Sequence, residues 1–379
     1  MDVMYDYQIF LEQKFGGISR YFHELIRHAD SMYIPHISVK YHRNDYIKGI
    51  KGLTYADSIQ NKPNRFKYLG GGLANKLAGL VYPSTDHANE NKTFVLEQLK
   101  SVKPDIFHPT YYGDYFVDHI GKTPFILTIY DMIHEKYPEF FKNYTVANRK
   151  KKLFSLATHV IAISESTKKD IMELYDVTEE KISVVYLGNS LDRIDGNSPQ
   201  GPKLPYDYIL YIGAREHYKN FLFFINSICK LLKQKPNLNV VCTGRPFSKA
   251  EMVYFSSVGL ENKVHHKFAN DDDLINLYTN AQAFIFPSLY EGFGIPILEA
   301  FSCGCPVLCS NSSSLPEVAG DAAIYFEPKS AMQIKNAVQK IISNDSLRTE
   351  MITKGRKRLK MFSWDKTAKH TSEVYNKCV

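Results

Sequence analysis

The sequence predicts an α/β protein made of two consecutive, doubly wound domains of similar size. The chain has 379 residues, which is longer than one ordinary domain and long enough to bury two hydrophobic cores. Short apolar runs of the β type alternate along it with amphipathic helical patterns, and this alternation is typical of parallel sheets with crossover helices. A segment rich in Gly, Pro, Asn and Asp interrupts the alternation near the middle of the chain and marks a linker.

The first half of the chain has candidate strands at 34–39, 105–108, 125–130, 159–163 and 182–186. Helical patterns fall between them. The clearest covers 18–28, where apolar residues from Ile18 to Leu25 recur at helical spacing. We expect residues 1–188 to form the N-terminal domain and 189–205 to form the linker.

The second half repeats this pattern. Its candidate strands are 208–212, 238–243, 283–287 and 306–309, and its candidate helices are 220–232, 272–281, 296–303, 330–343 and 346–360. We expect 206–360 to form the C-terminal domain. The remaining residues, 361–379, are expected to form a C-terminal helix, for which packing against the N-terminal domain is one option. Open α/β sheets bind ligands at the carboxyl ends of their strands, so the loops after the strands are the candidate sites.

The net charge of +7 is concentrated in the second half of the chain. Much of the excess comes from one candidate helix, with Lys354, Arg356, Lys357, Arg358 and Lys360. Such a run is usually a solvated helix face. The alternative is attraction to an anionic membrane surface or a phosphorylated lipid acceptor, where each nearby cation contributes about 1 kcal/mol. Nucleic acid is not an expected partner, because no motif of a nucleic-acid module accompanies the charge.

The six cysteines indicate a reducing compartment. Cys242 and Cys309 lie in apolar, strand-like runs, as buried thiols do. Cys303, Cys305 and Cys309 are close in sequence, but no second pair of ligands accompanies them, so a zinc site is not expected. The chain shows neither an export leader nor an apolar run of about 18 residues. We therefore expect a cytoplasmic protein, with peripheral contact with the inner face of a membrane as an option.

Gly16 and Gly17 form the first candidate ligand loop, directly before the clearest helix. The first-turn amides of a helix lack partners within the helix and can bind phosphate. An ordinary tight turn explains a pair of glycines equally well. The segment is neither a Walker loop nor a dinucleotide fingerprint, because the further glycines and the lysine of these motifs are missing.

Arg215 and Lys219 follow the first strand of the second half. Arg offers a planar fork to phosphate oxygens and Lys offers a compact charge, so the pair is suited to one anion. The alternative is a solvated loop with two ordinary cations. The position after a strand favours the ligand-binding interpretation.

The segment EGFGIPILEA is the most informative part of the chain. Glu291 follows a buried-type strand and precedes Gly-Phe-Gly, and Pro296 is suited to open a helix. The glycine turn lets Glu291 and Glu299 face one cleft, where carboxylates suit sugar and ribose hydroxyls. The positive end of the helix dipole adds a set of backbone amides, those of Gly292, Phe293, Gly294 and Ile295. The alternative, two solvated glutamates, leaves the apolar and glycine-rich surroundings without a use.

These motifs together resemble a known family. The two glutamates of EGFGIPILEA, with GGISRY near the start and GAREHYKN at the opening of the second half, are similar to the retaining GT-B glycosyltransferases of family four. The segment SSSLPEVAGDAAIYFEP resembles more narrowly the branch of bacterial O-antigen mannosyltransferases. The resemblance covers essentially the whole chain. It implies a GT-B fold, in which two Rossmann-like domains face each other across a cleft that holds the active site.

The resemblance also implies roles for individual residues. Glu291 is expected to contact the transferred sugar, and Glu299 is expected to hold the ribose of the donor. Arg215 and Lys219 are expected to bind the diphosphate and stabilise the leaving nucleotide in place of a metal, so no metal or other cofactor is expected. Gly17 is expected to approach the phosphate from the other domain.

The sequence departs from the family pattern at one position. Many relatives carry His-Asp at the end of the fourth strand, where the His meets the donor sugar, but here the pair is Tyr130-Asp131. Asp131 matches the pattern. His134 lies three residues further on and fits either a catalytic or a structural histidine.

The implied activity is transfer of a hexose from a nucleoside-diphosphate sugar, with GDP-mannose favoured, onto a saccharide or lipid-linked acceptor in bacterial surface polysaccharide synthesis. The anomeric configuration is retained. Two alternatives remain: a catalytically silent module that only binds nucleotide sugar or glycan, and a GT-B sugar-nucleotide epimerase. The intact Glu291, Glu299, Arg215 and Lys219 favour the transferase, since a silent relative is free to lose them.

Overall fold

The computed structural model describes residues 1–29, 31–48, 50, 53–58, 86–141, 144–191, 202–215 and 217–379. Most of the predicted linker, 192–201, lies outside the described residues. The chain folds into two compact units. Unit 1 contains 1–128, 145–161 and 368–379, and unit 2 contains 129–144 and 162–367.

Short strands alternate with helices along the described chain, as the sequence predicts. The strands are β1 (Asp2–Tyr5), β2 (Ile34–His42), β3 (Leu53–Ser58), β4 (Ile106–His108), β5 (Ile126–Ile129), β6 (His159–Ala162), β7 (Ile182–Val184), β8 (Asp207–Tyr211), β9 (Leu238–Cys242), β10 (Val264–His266), β11 (Ala283–Phe286), β12 (Val307–Ser310) and β13 (Ala323–Phe326). Every candidate strand of the sequence analysis corresponds to one of these, with its ends shifted by a few residues.

The helices also follow the predicted pattern. They are α1 (Gln8–Glu12), α2 (Gly17–Arg27), α3 (His87–Val102), α4 (Ile133–Lys136), α5 (Thr145–Leu156), α6 (Glu165–Leu174), α7 (Phe221–Gln234), α8 (Lys249–Ser257), α9 (Asp271–Asn280), α10 (Ile295–Ser302), α11 (Leu315–Ala319), α12 (Ala331–Ile342), α13 (Asp345–Leu359) and α14 (Trp364–Asn376). Helix α10 begins one residue before the predicted start, so Pro296 occupies its second position.

Four described strands, β1, β3, β10 and β13, are not among the candidates from the sequence, and β1 shows why. It lies inside the sheet of unit 1, whose order is β3-β2-β1-β4, and it pairs in parallel with both neighbours. Its four residues are too few to display a period, and Asp2 and Asp6 flank its apolar part. Val3, Met4 and Tyr5 are nevertheless fully buried, because partners distant in sequence cover them.

A chain of buried hydrogen bonds ties Tyr375, near the end of the chain, to the core of unit 1. Nδ1 of His108 lies 2.6 Å from the Tyr375 hydroxyl, and its Nε2 lies 2.8 Å from the Thr128 hydroxyl. The Tyr375 hydroxyl is in turn 2.9 Å from that of Tyr5, which donates to Tyr33 at 2.9 Å. Burial lowers the pKa of His108 to about 3, so its ring is neutral at neutral pH.

Unit 2 contains a six-stranded parallel sheet in the order β10-β9-β8-β11-β12-β13. From β8 the chain progresses outward to β10, and from β11 it progresses outward in the opposite direction to β13. The order therefore reverses between β8 and β11, and such a switch point opens a crevice at the carboxyl ends of the strands. The loop after β8 carries Arg215 and Lys219, and the loop after β11 carries Glu291. The topology thus brings two distant motifs to one edge of the sheet.

Helix α7 illustrates how the core of unit 2 forms. Its side chains at helical spacing, Phe221, Phe224, Ile225 and Ile228, are fully buried. They pack into one cluster with apolar residues of β8, β9 and α12. Burial of each large apolar side chain stabilises the fold by about 1.5–3 kcal/mol, so this face holds the loop before α7 in place.

Membrane-spanning helices are not found in the described part of the chain, where no helix is both long and apolar enough to cross a bilayer.

We predict that the stability of the protein falls as the pH is lowered from about 6.5 towards 3, in part through His108. Its pKa is about 3 when folded against an ordinary value of 6.5, so in this window only the unfolded chain binds the proton. Each pH unit below the ordinary pKa then costs up to about 1.4 kcal/mol. Chemical denaturation between pH 7 and 4.5 should show a shallower pH dependence for His108→Gln than for the wild type. The matched variant of an exposed histidine, His119→Gln, should keep the wild-type slope, and equal slopes in all three proteins would contradict the prediction.

Candidate active site

The crevice at the switch point of unit 2 holds an ion pair between its two loops. Nζ of Lys219, at the end of the 3₁₀ turn His217–Lys219, lies 2.7 Å from Oε1 of Glu291. The Ser288 hydroxyl donates to the same carboxylate oxygen at 2.6 Å. Burial is the largest influence on Lys219 and opposes its charge, but Glu291 and the other neighbouring groups together outweigh it, so the pKa of the ammonium is raised. The lysine is therefore cationic at any physiological pH.

Serines of the segment after β12 hold the backbone of the Glu291 loop. The Ser313 hydroxyl accepts a hydrogen bond from the Glu291 amide at 2.9 Å. The Ser314 hydroxyl donates to the carbonyl oxygens of Glu291 and Phe293 at 2.9 and 2.8 Å. These serines belong to the SSSLPEV segment, which the sequence analysis used only for the family resemblance. A serine run directly after a buried strand was the available signal for this role.

Gly292 allows the Glu291 loop to approach the backbone after β5. A Cβ atom at this position would lie 1.7 Å from the Tyr130 carbonyl oxygen and 3.1 Å from the Asp131 side chain, so no other residue fits without movement. The Gly292 carbonyl accepts hydrogen bonds from the hydroxyls of Ser164 and Thr167 at 2.7 and 3.3 Å. The glycine predicted as an amide donor is thus also a point of close contact between two loops.

Asp131 lies beside the Lys219–Glu291 pair. Its Oδ1 accepts a hydrogen bond from the Ile133 amide at 3.1 Å, at the start of the short helix α4. Its charge contributes to the raised pKa of Lys219, after Glu291 and Tyr218. The structure therefore brings together three of the predicted site residues.

His134 lies on α4, three residues after Asp131. Its ring is 4.1 Å from the ring of Phe141, measured between centroids, and Phe141 in turn packs against Tyr218. The histidine thus belongs to an aromatic cluster next to the loop of Lys219. Both interpretations of the sequence analysis, catalytic and structural, remain compatible with this position.

Arg215 is buried away from the ion pair of Lys219. Its Nε lies 2.7 Å from Oε1 of Glu251, and its side chain is only 1% exposed. The other ends of the guanidinium donate to the carbonyl oxygens of Thr243 and Pro246 at 3.4 and 3.0 Å. The two cations predicted to clamp one anion therefore have separate carboxylate partners in this structure.

Glu299 lies on α10 and is 7% exposed. Its Oε2 accepts a hydrogen bond from the Tyr278 hydroxyl at 3.0 Å. Tyr278 comes from α9 and also contacts the Pro296 carbonyl oxygen at 3.2 Å. This buried hydroxyl holds the carboxylate near the start of α10.

The start of α10 provides the predicted backbone amides. Gly294 adopts φ 116°, a left-handed conformation that glycine tolerates best, and the helix begins at Ile295. Helical geometry leaves the first amides without partners in the helix itself. The side chain of Phe293 is buried and packs against Tyr186 and Phe362. Phe293 thus anchors the turn through its side chain.

Gly17 belongs to unit 1 and is the first residue of α2. A Cβ atom there would meet nothing within 4 Å. A Cβ atom at Gly16 would instead collide with the Gln13 side chain, at 2.1 Å. The phosphate contact of Gly17 stays a prediction.

Metal ligands are not clustered in the described residues, where no group of three or more His, Cys, Asp or Glu side chains could hold an ion. Cys303, Cys305 and Cys309 are buried free thiols. Burial raises the pKa of the Cys305 and Cys309 thiols, which keeps them protonated and unreactive.

Comparison with known families matches nearly the whole chain. The model described as Glycosyltransferase Family 4 matches residues 15–193, and the model described as Glycosyl transferases group 1 matches residues 196–358. The boundary between the two matches falls within the predicted linker.

Individual relatives agree with these matches. An O-antigen chain mannosyltransferase B of Escherichia coli is 29% identical over 73% of this chain and 75% of its own length. A serotype-specific mannosyltransferase, WbdA of E. coli, is 30% identical over 57% of this chain, which spans only 28% of that longer protein. The crystal structure of a glycosyltransferase from Rickettsia africae superposes with a TM-score of 0.69 at 19% identity, covering 100% of this chain and 98% of the other.

The family matches and the relatives thus identify a glycosyltransferase with the GT-B fold, which consists of two Rossmann-like domains. The chain belongs to glycosyltransferase family 4.

We predict that Gly292→Ala destabilises the protein, because the added methyl group has to displace the Tyr130 carbonyl oxygen. Overpacking of this kind costs about 1–3 kcal/mol. The matched control is Gly17→Ala, where the methyl group enters open space at a helix start. Chemical denaturation should show a lower unfolding free energy for Gly292→Ala and an unchanged or higher one for Gly17→Ala. Equal stabilities would contradict the close approach.

Proposed function

We propose that the protein is a retaining, metal-independent hexosyltransferase that acts in bacterial surface polysaccharide synthesis. The donor is a nucleoside-diphosphate sugar, with GDP-mannose as the first candidate, and the acceptor is a saccharide or lipid-linked glycan. The names of the relatives support the choice of mannose, because several are O-antigen or serotype-specific mannosyltransferases. The observation that carries the proposal is the Lys219–Glu291 pair at the switch point of unit 2.

Lys219 is proposed to bind the donor diphosphate. Its side chain is 20% exposed and its ammonium stays charged, so it can neutralise the phosphate charge that grows as the nucleotide leaves. The start of α10 adds partial positive charge from the helix dipole in the same unit. These fixed charges supply the electrostatic stabilisation that a metal supplies in other enzymes, which is why we propose metal independence.

Glu291 is proposed to contact the transferred sugar. A carboxylate held beside the anomeric carbon orients the sugar and stabilises the positive charge that develops there during transfer. Its position is set before any ligand arrives, because Lys219, Ser288 and Ser313 all bond to this one residue. Such preorganisation lowers the barrier without reorganisation at the moment of reaction.

Glu299 is proposed to hold the ribose of the donor. Tyr278 occupies its Oε2, and a carboxylate oxygen has further lone pairs for a hydroxyl donor. The amides of Gly292, Phe293, Gly294 and Ile295 are proposed to line the donor site, and Gly17 is proposed to approach the phosphate. Contacts with the ribose are the same in the ground and transition states, so Glu299 should act on donor binding and not on the rate of the chemical step.

Asp131 and His134 are proposed as the remaining catalytic candidates. The charge of Asp131 acts on Lys219, and its carboxylate can accept a hydrogen bond from a hydroxyl of the donor sugar or of the acceptor glycan. His134 is the second catalytic candidate. It is proposed to take the role of the histidine that many relatives carry where this chain has Tyr130. The retaining outcome is proposed from the family resemblance.

Arg215 remains proposed as a ligand of the diphosphate, with a condition that the structure adds. Its guanidinium is paired with Glu251, so its loop has to shift, or its remaining N–H groups have to become accessible, before it can contact phosphate. Lys219 is therefore the more direct of the two cations.

A cytoplasmic location is proposed from the buried free thiols, which fit a reducing compartment. Peripheral contact with an anionic membrane is proposed from the basic run on α13. Part of this run has structural partners, because Arg358 donates to the carbonyl oxygens of Val318 and Glu317. Lys354 also contacts Glu350 at 2.9 Å. The membrane contact thus rests on fewer cations than the sequence suggested.

The function is tested by measuring nucleotide release from a panel of nucleoside-diphosphate sugars, with and without mannose-containing acceptor oligosaccharides. We expect GDP release from GDP-mannose that depends on acceptor, with an α-linked product on NMR analysis. Isomerised donor without acceptor would indicate an epimerase, and donor binding without turnover would indicate a silent binding module; either result would overturn the proposal.

We predict that Glu291→Gln lowers kcat by about 10²–10³-fold with little change in donor KM, because it removes charge and keeps shape. Glu299→Gln should mainly raise donor KM, because a ribose contact contributes equally to ground and transition states. Steady-state kinetics of the two variants checks both roles. The opposite pattern, with Glu291→Gln acting only on KM, would reverse the assignment.

We predict that Lys219→Ala raises the donor Kd by at least about tenfold and slows turnover, since one charge-assisted contact contributes about 1.5–3 kcal/mol. It should also destabilise the fold, because the largely buried Glu291 loses its partner. Arg215→Ala should also weaken donor binding, and in addition it should destabilise the fold by about 3 kcal/mol, because Glu251 loses its partner. Calorimetric titration and thermal unfolding separate the two effects. EDTA should leave wild-type turnover unchanged, and a loss of turnover that Mg²⁺ or Mn²⁺ restores would contradict metal independence. Wild-type turnover in the double variant Lys219→Ala/Arg215→Ala would refute the binding of the diphosphate by these two cations.

A further inference from the structure

The hydroxyl of Tyr290 joins the loop of Glu291 to the loop of Asp131. It accepts a hydrogen bond from the Met132 amide at 3.2 Å and donates to Oδ2 of Asp170 at 2.6 Å. Tyr290 directly precedes Glu291, and Met132 directly follows Asp131. One buried hydroxyl therefore connects the neighbours of two proposed catalytic carboxylates.

Asp170 is fixed on its other side by Lys136. Nζ of Lys136 lies 2.6 Å from Oδ1 of Asp170, whose side chain is 8% exposed. Burial and the charge of Asp170 raise the pKa of the Tyr290 hydroxyl far above its usual value. The hydroxyl thus stays protonated and keeps its direction, with its proton towards Asp170 and its lone pairs towards the Met132 amide.

The two loops meet at a second point, where Gly292 touches the Tyr130 carbonyl oxygen. The Tyr290 hydroxyl meets the Met132 amide and Gly292 meets the Tyr130 carbonyl, so each loop has one contact on either side of its carboxylate. Asp131 and Glu291 lie between these two contacts in sequence, and the charge of each raises the pKa of Lys219. Loss of the Tyr290 contact removes one of these two ties, so Asp131 can shift relative to Glu291 while its bond from the Ile133 amide and the contact at Gly292 remain.

We propose that Tyr290, oriented by Asp170, is a positioning residue for the transfer step, which holds Asp131 in place opposite Glu291. This role rests on the proposed function, in which both carboxylates act on the bound sugar. It differs from a purely structural role in one respect: it affects the rate of the chemical step through Asp131. Displacement of a catalytic group by about 1 Å can cost 10²-fold in rate.

The variant Tyr290→Phe removes the hydroxyl and keeps the ring, which packs against Tyr137. We expect kcat to fall by at least about tenfold, with donor KM within about twofold of wild type. The matched control is Tyr208→Phe, which also deletes a buried tyrosine hydroxyl, in this case one that donates to the Leu277 carbonyl oxygen at 2.7 Å. It should lower stability by a comparable amount and leave kcat unchanged.

A double-variant cycle tests whether the effect passes through Asp131. In an Asp131→Asn background, Tyr290→Phe should change kcat by less than about twofold, since the group that it positions is already impaired. A full tenfold effect in that background overturns the positioning role. If Tyr290→Phe does not fold, Lys136→Met decides the question. This variant removes the cation that orients Asp170, and Lys136 itself is partly exposed. An unchanged kcat in Lys136→Met overturns the proposal.

Different results would overturn the proposed function and the positioning role of Tyr290. A wild-type protein that transfers no sugar in the donor panel overturns the proposed function, and the positioning role with it. An active wild type with an unaltered kcat in Tyr290→Phe, or with equal losses in Tyr290→Phe and Tyr208→Phe, overturns the positioning role alone.

Discussion

The contact between Lys219 and Glu291 depends on a constraint of sheet topology. The two residues are 72 positions apart in sequence and follow β8 and β11, which are neighbours in the sheet of unit 2. Parallel strands end at the same edge, and the reversal of strand order at this pair leaves no crossover helix above the gap. Two loops of opposite charge can therefore meet there, and the remaining site residues of unit 2 are arranged around that meeting point.

The stability of the fold alone does not account for this ion pair. Both side chains are largely buried, at 20% and 13% exposure, and burial of two charges offsets much of their mutual attraction. Apolar residues of similar size would serve folding at least as well. Ser288 and Ser313 add hydrogen bonds that hold the carboxylate and its backbone in one geometry. A costly, preorganised charge at a ligand-binding edge is the arrangement that electrostatic catalysis requires.

The sequence predicts the helices and strands of this protein better than the contacts between them. The helical spacing of Phe221, Phe224 and Ile228 identifies α7, because that signal is local. Strand β1 escapes prediction, because its burial comes from strands distant in sequence. The same reason explains which parts of the site could be predicted. EGFGIPILEA is a local motif and is visible in the sequence. The contact of Gly292 with Tyr130 and the pairing of Arg215 with Glu251 join segments that are far apart in sequence. A single sequence carries no local trace of such contacts.

The separate partners of Arg215 and Lys219 imply different parts in donor binding. A guanidinium has five N–H donors, of which single bonds to Glu251, Thr243 and Pro246 occupy three, so two remain for phosphate without loss of the ion pair. Glu251 also caps α8 together with Ser248, which makes its release costly. Because Arg215 is 1% exposed, phosphate reaches it only when the loop moves, whereas Lys219 keeps 20% of its side chain exposed. In our proposal the donor therefore contacts Lys219 first, and the interaction with Arg215 follows as the loop closes on the diphosphate.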